Sequence, residues 1–301
     1  MLSRMKVLSG LALAGVVLVA ASLAVAPGAH AQQPDSPQQP DSTPLSDRPP
    51  EQDRAPELEQ NDTILQVNAA IDGGVAAFKS GQYADAAASF GIATRLAPGN
   101  ALAHLYLGTA YAAQIVPNVL AAENKQTASS ALAEFDAVLK LRPGYVPAIK
   151  QEATIYRDIQ WYDEALSMEK KVVAADPSDV DAVYTTGFLD WTVANRNALK
   201  ALKDDGDTDD GIGNVGMLHG ACEKLRAANS ALVNDGIANL KRAIELKPDN
   251  SDAMQYLQLM YRRHADFACG EKATLNADLR LADEWKRKAA ETQKRVVVPA
   301  Q

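Results

Sequence analysis

The chain has 301 residues, 30 of them basic and 38 acidic, giving a net charge of −8 at neutral pH. That balance excludes non-specific attachment to nucleic acid or to an anionic bilayer, both of which need a cationic surface. Abundant Ala with few β-branched runs points to an all-α fold.

In chain order, residues 1–31 read as a secretory signal. Arg4 and Lys6 make a basic start, Val7 to Ala26 is apolar, and Ala29-His30-Ala31 offers a cleavage site before Gln32. Left uncut, the same stretch is long enough to act as an N-terminal anchor, and no Cys follows it to carry a lipid. Cleavage leaves 28 basic residues against 38 acidic, a net charge of −10. No later segment approaches the roughly 18 apolar residues of a membrane span. The expected location is periplasmic or secreted. Residues 32–60 are rich in Gln, Pro, Asp and Ser; they cannot bury enough surface to offset ordering and read as a disordered tether. The folded part is expected over 61–294, with a short tail over 295–301.

Within the folded part four segments end alike: Leu96-Ala97-Pro98, Leu141-Arg142-Pro143, Ala175-Asp176-Pro177 and Leu246-Lys247-Pro248. Each reads as an amphipathic helix stopped by a Pro that cannot continue it. Upstream of each stop lies a helix rich in small residues: Tyr83-Ala84-Asp85-Ala86 before Phe90, Ala131 before Phe135, Tyr162-Asp163-Glu164-Ala165, and Gly236 before Leu240. Small residues there let two helix backbones approach closely. Two units fit 34 residues without gaps, Val67 to Asn100 and Val146 to Asp179. Ala101 to Tyr145 (with Leu107-Gly108 and Tyr111) and Val180 to Asn250 (with Gly187) are longer copies, and a fifth begins at Ser251, with Leu257, Tyr261 and Ala282.

These residues make the chain resemble the tetratricopeptide repeat (TPR) family, whose unit is about 34 residues of helix A, turn and helix B. The resemblance implies a right-handed TPR solenoid of about five helix-turn-helix units. The surplus residues of units two, four and five all fall between helix A and helix B, on one edge of such a stack. In unit four the surplus contains an acidic loop, Asp204 to Gly211, and then Val215 to Leu232, which reads as a short extra helix. Asp205, Asp207 and Asp209 alternate like the start of a calcium loop, but Asp210 stands at the Gly position and Gly216 where the bidentate Glu is required. A solvated charge run is the simpler reading.

The two cysteines, Cys222 and Cys269, lie in the inserted segments of adjacent units, which such a stack sets side by side; in an exported chain they are expected to form a disulfide. An alternative is a zinc module built from His219, Cys222, His264 and Cys269.

No nucleophile elbow, phosphate loop, metalloprotease His pair or redox Cys pair is present, so neither an enzyme nor a cofactor is expected. TPR arrays bind peptide segments along the concave face lined by helix A. By that resemblance the groove here presents Asn68, Val75, Leu105, Lys150, Thr154, Arg157, Tyr184, Phe188, Trp191, Gln255 and Arg262. Tyr184, Phe188 and Trp191 follow i, i+4, i+7 spacing and share one face, as a binding stripe or as core under the insertion. With Lys150, Arg157 and Arg262 beside them, they suit a peptide partner carrying apolar and acidic residues. The expected role is a non-catalytic scaffold or adaptor of the cell envelope; a purely structural envelope protein is the other reading.

Overall fold

The computed structural model describes residues 51–204, 206, 208–210 and 219–297. Ten α-helices run in chain order among them: α1 Glu51–Lys79, α2 Tyr83–Leu96, α3 Ala101–Ala112, α4 Ala122–Leu141, α5 Val146–Asp158, α6 Tyr162–Ala175, α7 Val180–Asp204, α8 His219–Leu246, α9 Ser251–Ala265 and α10 Lys272–Val297. They pack as consecutive pairs, and each pair packs on the next. The first helices of neighbouring units also meet, α3 with α5 and α7 with α9, so they form one wall of the stack. This is a TPR-like solenoid of five units.

The shared Pro gives every unit the same exit. The proline ring disfavours the helical conformation in the residue before it. Ala97, Arg142 and Asp176 accordingly take nearly one backbone geometry, with φ of −135°, −137° and −138°. Each N–H still bonds back to the carbonyl four residues earlier, as does that of Lys247. A four-residue turn then closes between Ala97 and Asn100, Arg142 and Tyr145, Asp176 and Asp179, and Lys247 and Asn250. Asn100 and Asn250 cap the helices that follow with their side-chain oxygens.

Inside units one, two and four the two helices touch at small residues. A Cβ on Gly74 would lie 2.5 Å from the Phe90 ring, one on Gly108 3.0 Å from the Phe135 ring, and one on Gly187 2.6 Å from Leu240 Cγ. Phe90, Phe135 and Leu240 are buried at these crossings.

Three sequence expectations need correction. The stretch Val215 to Leu232 is not a separate short helix: its described part belongs to α8, which runs unbroken from His219 to Leu246. The insertion of unit four therefore prolongs α7 and α8 into a two-helix arm. Gly236, which with Asn234 and Asp235 imitates a turn, sits inside α8 because Met260 and Asp190 pack against its bare backbone. At the N-terminal boundary, α1 begins at Glu51, ten residues inside the segment read as a tether. Residues 59–66 of α1 are exposed, so these turns rest on backbone hydrogen bonds rather than on packing. At the other end α10 runs to Val297, three residues into the expected tail. The signal segment and residues 32–50 lie outside the described residues.

The arm is held by its own polar and covalent ties. Asn229 is buried, donates to the carbonyl of Ala194 at 2.8 Å and accepts from Asn197 at 2.8 Å. Ala198, Leu202 and Leu225 pack with Phe267 of unit five, where a single 3-10 turn, Asp266–Ala268, joins α9 to α10. The Cys222–Cys269 disulfide, with Cα atoms 5.4 Å apart, staples α8 to that turn, and Arg226 donates to the Phe267 carbonyl at 2.7 Å.

Candidate partner-binding wall and inserted edge

The residues expected to face a partner sit on α5, α7 and α9. On α7, Tyr184, Phe188 and Trp191 are half-buried, and all three rings converge on Tyr256 of α9. Ring centroids lie 6.2 Å from Tyr184, 4.9 Å edge-on from Phe188 and 5.2 Å from Trp191. The stripe is thus a seam between units four and five, resting against the core while keeping part of each ring in solvent. Tyr256 had not been picked out from the sequence. Burial raises the Tyr184 and Tyr256 hydroxyl pKa values, with neighbouring acidic groups adding to the effect.

The cations expected beside the stripe are partly spent. Lys150 pairs with Asp179, and Arg262 pairs with Asp283 at 3.2 Å and donates from Nε to Gln258 Oε1 at 3.2 Å. Gln255 is half-buried on α9. Arg157 is half-buried on α5 and faces Tyr184 and Glu169, where its charge favours the ionised forms. The positive flank therefore reduces to Arg157.

Three buried carboxyls went unrecognised in the sequence, although the repeat itself marks them. Glu169 follows Ala165 where the other units have Phe90, Phe135 and Leu240. Glu152 follows the start of its unit by six residues, the place of Leu107 and Leu257. Asp190 stands three residues after Gly187, where Tyr111 stands three after Gly108. All three are buried in the middle of the stack. Burial pushes Glu169 up to about 7, against the pull of Arg157 and Lys150. Glu152 is likewise pushed up to about 7, by burial first and by Asp136 second. Asp190 rises to about 6 by burial, opposed by Lys170 at 3.5 Å and by Asn239, which donates at 3.3 Å. Lys170 also bonds Asp235 at 3.1 Å, across a cleft of about 240 Å³ between α6 and α8.

A fourth charged cluster ties the acidic loop to unit five. Arg263, buried in α9, is held by Asp209 at 2.9 Å and by Asp266 at 3.3 Å. Burial pushes the Asp266 carboxyl up to about 7, with Arg263 opposing and Asp209 and Asp210 adding to the rise. Asp209, the third of the alternating aspartates, is thus a counterion to arginine; Asp205 and Asp207 lie outside the described residues.

The zinc alternative is corrected by the same region. Cys222 and Cys269 are bonded to each other, which removes both thiolates, and His264 bonds Asp278 at 2.8 Å. The side chain of His219 lies outside the described residues. Among the described residues no group of three or more His, Cys, Asp or Glu side chains converges as a metal site.

No protein-family model matches the sequence, and no curated protein matches it. Solved structures match in fold. A crystal structure of MamA protein superposes with a TM-score of 0.52 at 14% identity, covering 78% of this chain and 97% of that one. A MamA RS-1 ArsTM double mutant gives 0.50 at 19% identity, with 76% and 95% covered. YrrB, described as a TPR protein with an unusual peptide-binding site, gives 0.47 at 15% identity over 80% and 97%. The MamA superpositions show that this chain shares the fold of those structures, a stack of consecutive helix pairs of the TPR-like kind.

Proposed function

We propose that this solenoid is a non-catalytic protein-interaction scaffold of the cell envelope, which holds a partner segment along the wall of first helices. The observation that carries the reading is the aromatic seam of Tyr184, Phe188, Trp191 and Tyr256, half-open on that wall. Large aromatic side chains that keep one face in solvent supply most of the binding energy at protein interfaces. Arg157 lies on the neighbouring first helix and supplies a directional charge, so the favoured ligand inserts an apolar side chain into the seam and sets a carboxylate near Arg157. Pairing of Lys150 and Arg262 within the chain makes a strongly acidic ligand unnecessary.

Export is part of the proposal. A basic, apolar and small-residue leader directs it, and the Cys222–Cys269 disulfide suits an oxidising compartment. N-terminal sequencing of the protein from its native source tests this part: a start at Gln32 is expected, and cytoplasmic protein with free thiols would overturn it.

For the groove, the test is the affinity of peptides selected on the full chain. Replacing Tyr184 and Trp191 together by Ala is expected to weaken binding by at least tenfold, since interface aromatics contribute about 2 kcal/mol or more each. Unchanged affinity would remove the seam from the binding site.

A further inference from the structure

At three of the four joints between units, one apolar side chain from the second helix of the earlier unit packs on the next unit. Phe90 reaches Tyr106 of unit two, with ring centroids 5.3 Å apart. Phe135 clusters with Ala148 and Ile155 of unit three, and Leu240 with Ala253 and Leu257 of unit five. At the joint between units three and four the same place holds Glu169, a buried carboxyl. It faces Arg157 and Lys150 of α5 and Asp179 and Asp181 at the entry to α7, with Lys150 and Asp179 paired to each other.

A second buried carboxyl lies at the same joint. Asp190 of α7 is fully buried; its Oδ1 lacks a hydrogen-bond partner and lies 3.5 Å from Lys170 Nζ of α6, while Oδ2 accepts from Asn239 of α8 at 3.3 Å. Lys170 is shared with Asp235 of α8 at 3.1 Å, and Lys170, Asp235 and Asn239 line the cleft of about 240 Å³ between the two units. The charged groups of α9, which also packs on α7, are held elsewhere. Asp252 lies beside Tyr184 and Tyr256, Arg262 pairs with Asp283, Arg263 with Asp209 and Asp266, and His264 with Asp278. Two further polar ties cross the joint at its surface. Arg196 of α7 reaches Asp163 of α6 with bonds of 2.8 and 2.9 Å, and Arg242 of α8 donates to the Pro177 carbonyl at 3.0 Å. Apolar contact across the joint comes from Ile149, Val172 and Ala182 and from Leu166, Leu189 and Val193.

We propose that the joint between units three and four is a proton-operated hinge, closed while Glu169 and Asp190 are neutral and loosened when both ionise. An ionised carboxylate gains by reaching water, and opening this joint hydrates both groups at once. The Cys222–Cys269 bond makes units four and five one body, so movement concentrates at the joint in front of it. Burial holds the two carboxyls at about 7 and about 6, against 4.5 and 3.8 once hydrated, with Arg157, Lys150 and Lys170 opposing the rise. The closed joint therefore binds more protons than the open one, and opening grows as pH rises. From about pH 5.5 to 8 the opening constant grows roughly a hundredfold by proton linkage. Arg157 and the aromatic seam lie on opposite sides of the hinge, so its state sets the spacing of the two ligand anchors; that consequence alone rests on the scaffold reading.

The test places a donor and an acceptor dye on Lys140→Cys of α4 and Glu245→Cys of α8, both exposed. Cys222 and Cys269 are bonded to each other, so the introduced thiols are the ones that react. Single-molecule energy transfer is read at about pH 5.5 and 8 in this labelled parent, in Glu169→Gln with Asp190→Asn, and in Glu152→Gln, whose buried carboxyl lies against Asp136 of unit two. The expected result is a low-transfer population that grows at least about tenfold between the two pH values in the parent and in Glu152→Gln, and stays constant in the double variant. Circular dichroism verifies the helix content of each variant. The single variants carry the test independently: each is expected to remove part of the growth, Glu169→Gln the larger part. Equal transfer at both pH values in the parent would overturn the hinge. So would a response that the joint variants leave intact, or one that Glu152→Gln removes, which would belong to the joint between units two and three. No ligand enters the measurement, so its outcome is separate from that of the groove.

Discussion

Glu169 offers the sharpest test of the energetics. It occupies a helix-crossing position that is Phe or Leu in units one, two and four, and it is only 7% exposed. Burial raises its pKa from 4.5 to about 7. Below about pH 4.5 the carboxyl is protonated in both folded and unfolded chains, and it costs the fold nothing. Between there and 7 the folded chain keeps a proton that the unfolded chain releases, so stability falls as pH rises. Above 7 both are ionised and the cost is complete, about 3 kcal/mol by the proton-linkage relation. Glu169→Gln keeps the shape and removes the charge. It is expected to raise stability by about 2–3 kcal/mol at pH 8 and by little at pH 4.5. Urea unfolding of parent and variant at both pH values reads this directly, with a common slope showing that the folded states are comparable. A variant no more stable than the parent at pH 8, or a gain of equal size at both pH values, would refute the argument that desolvation of this charge opposes folding.

Three further outcomes follow from named contacts. Cys222→Ser with Cys269→Ser opens a 47-residue separation and is expected to cost about 4 kcal/mol in urea unfolding by the chain-entropy relation, with reductant reproducing the loss in the parent. Gly187→Ala drives a methyl against Leu240 and is expected to cost about 1–3 kcal/mol, whereas Gly91→Ala, whose Cβ would meet only the Arg95 tip at 3.5 Å, is expected to gain up to about 1 kcal/mol of helix propensity; thermal melts rank the two. Arg263→Met leaves Asp266 buried opposite no cation and is expected to destabilise by about 3–5 kcal/mol at pH 8, with much of the loss recovered below pH 6, where Asp266 holds its proton. Equal losses at both pH values would separate the effect from the carboxyl.

What was legible in the sequence was what repeats. The Pro stops recur because each unit must leave its second helix at the same angle, and Ala86, Ala131, Ala165 and Gly236 recur because two backbones must cross there. The pairing of Cys222 with Cys269 followed from the stack. The insertion of unit four was less legible, because Asn234-Asp235-Gly236 carries the chemistry of a turn; the approach of Met260, from another unit, and of Asp190 explains why the helix continues through it. The charge of the groove was misjudged for a related reason. Asp179 and Asp283 neutralise Lys150 and Arg262 from 29 and 21 residues away, and helical periodicity carries no information on such partners. Glu152, Glu169 and Asp190 could have been found by reading the units column by column, since each replaces an apolar or aromatic residue at a fixed place.

A linear stack loosens from its ends, because a terminal unit has a neighbour on one side only. Here the two ends are unequal. At the C-terminal end, the Cys222–Cys269 bond, the Arg226 contact with Phe267 and the grip of Asp209 on Arg263 join units four and five into a block that must open together. At the other end α1 leans on α2, and its residues 59–66 are exposed. Fraying therefore runs one way: hydrogen exchange enters from α1 and travels toward unit three, and the stapled half is the last to lose its shape.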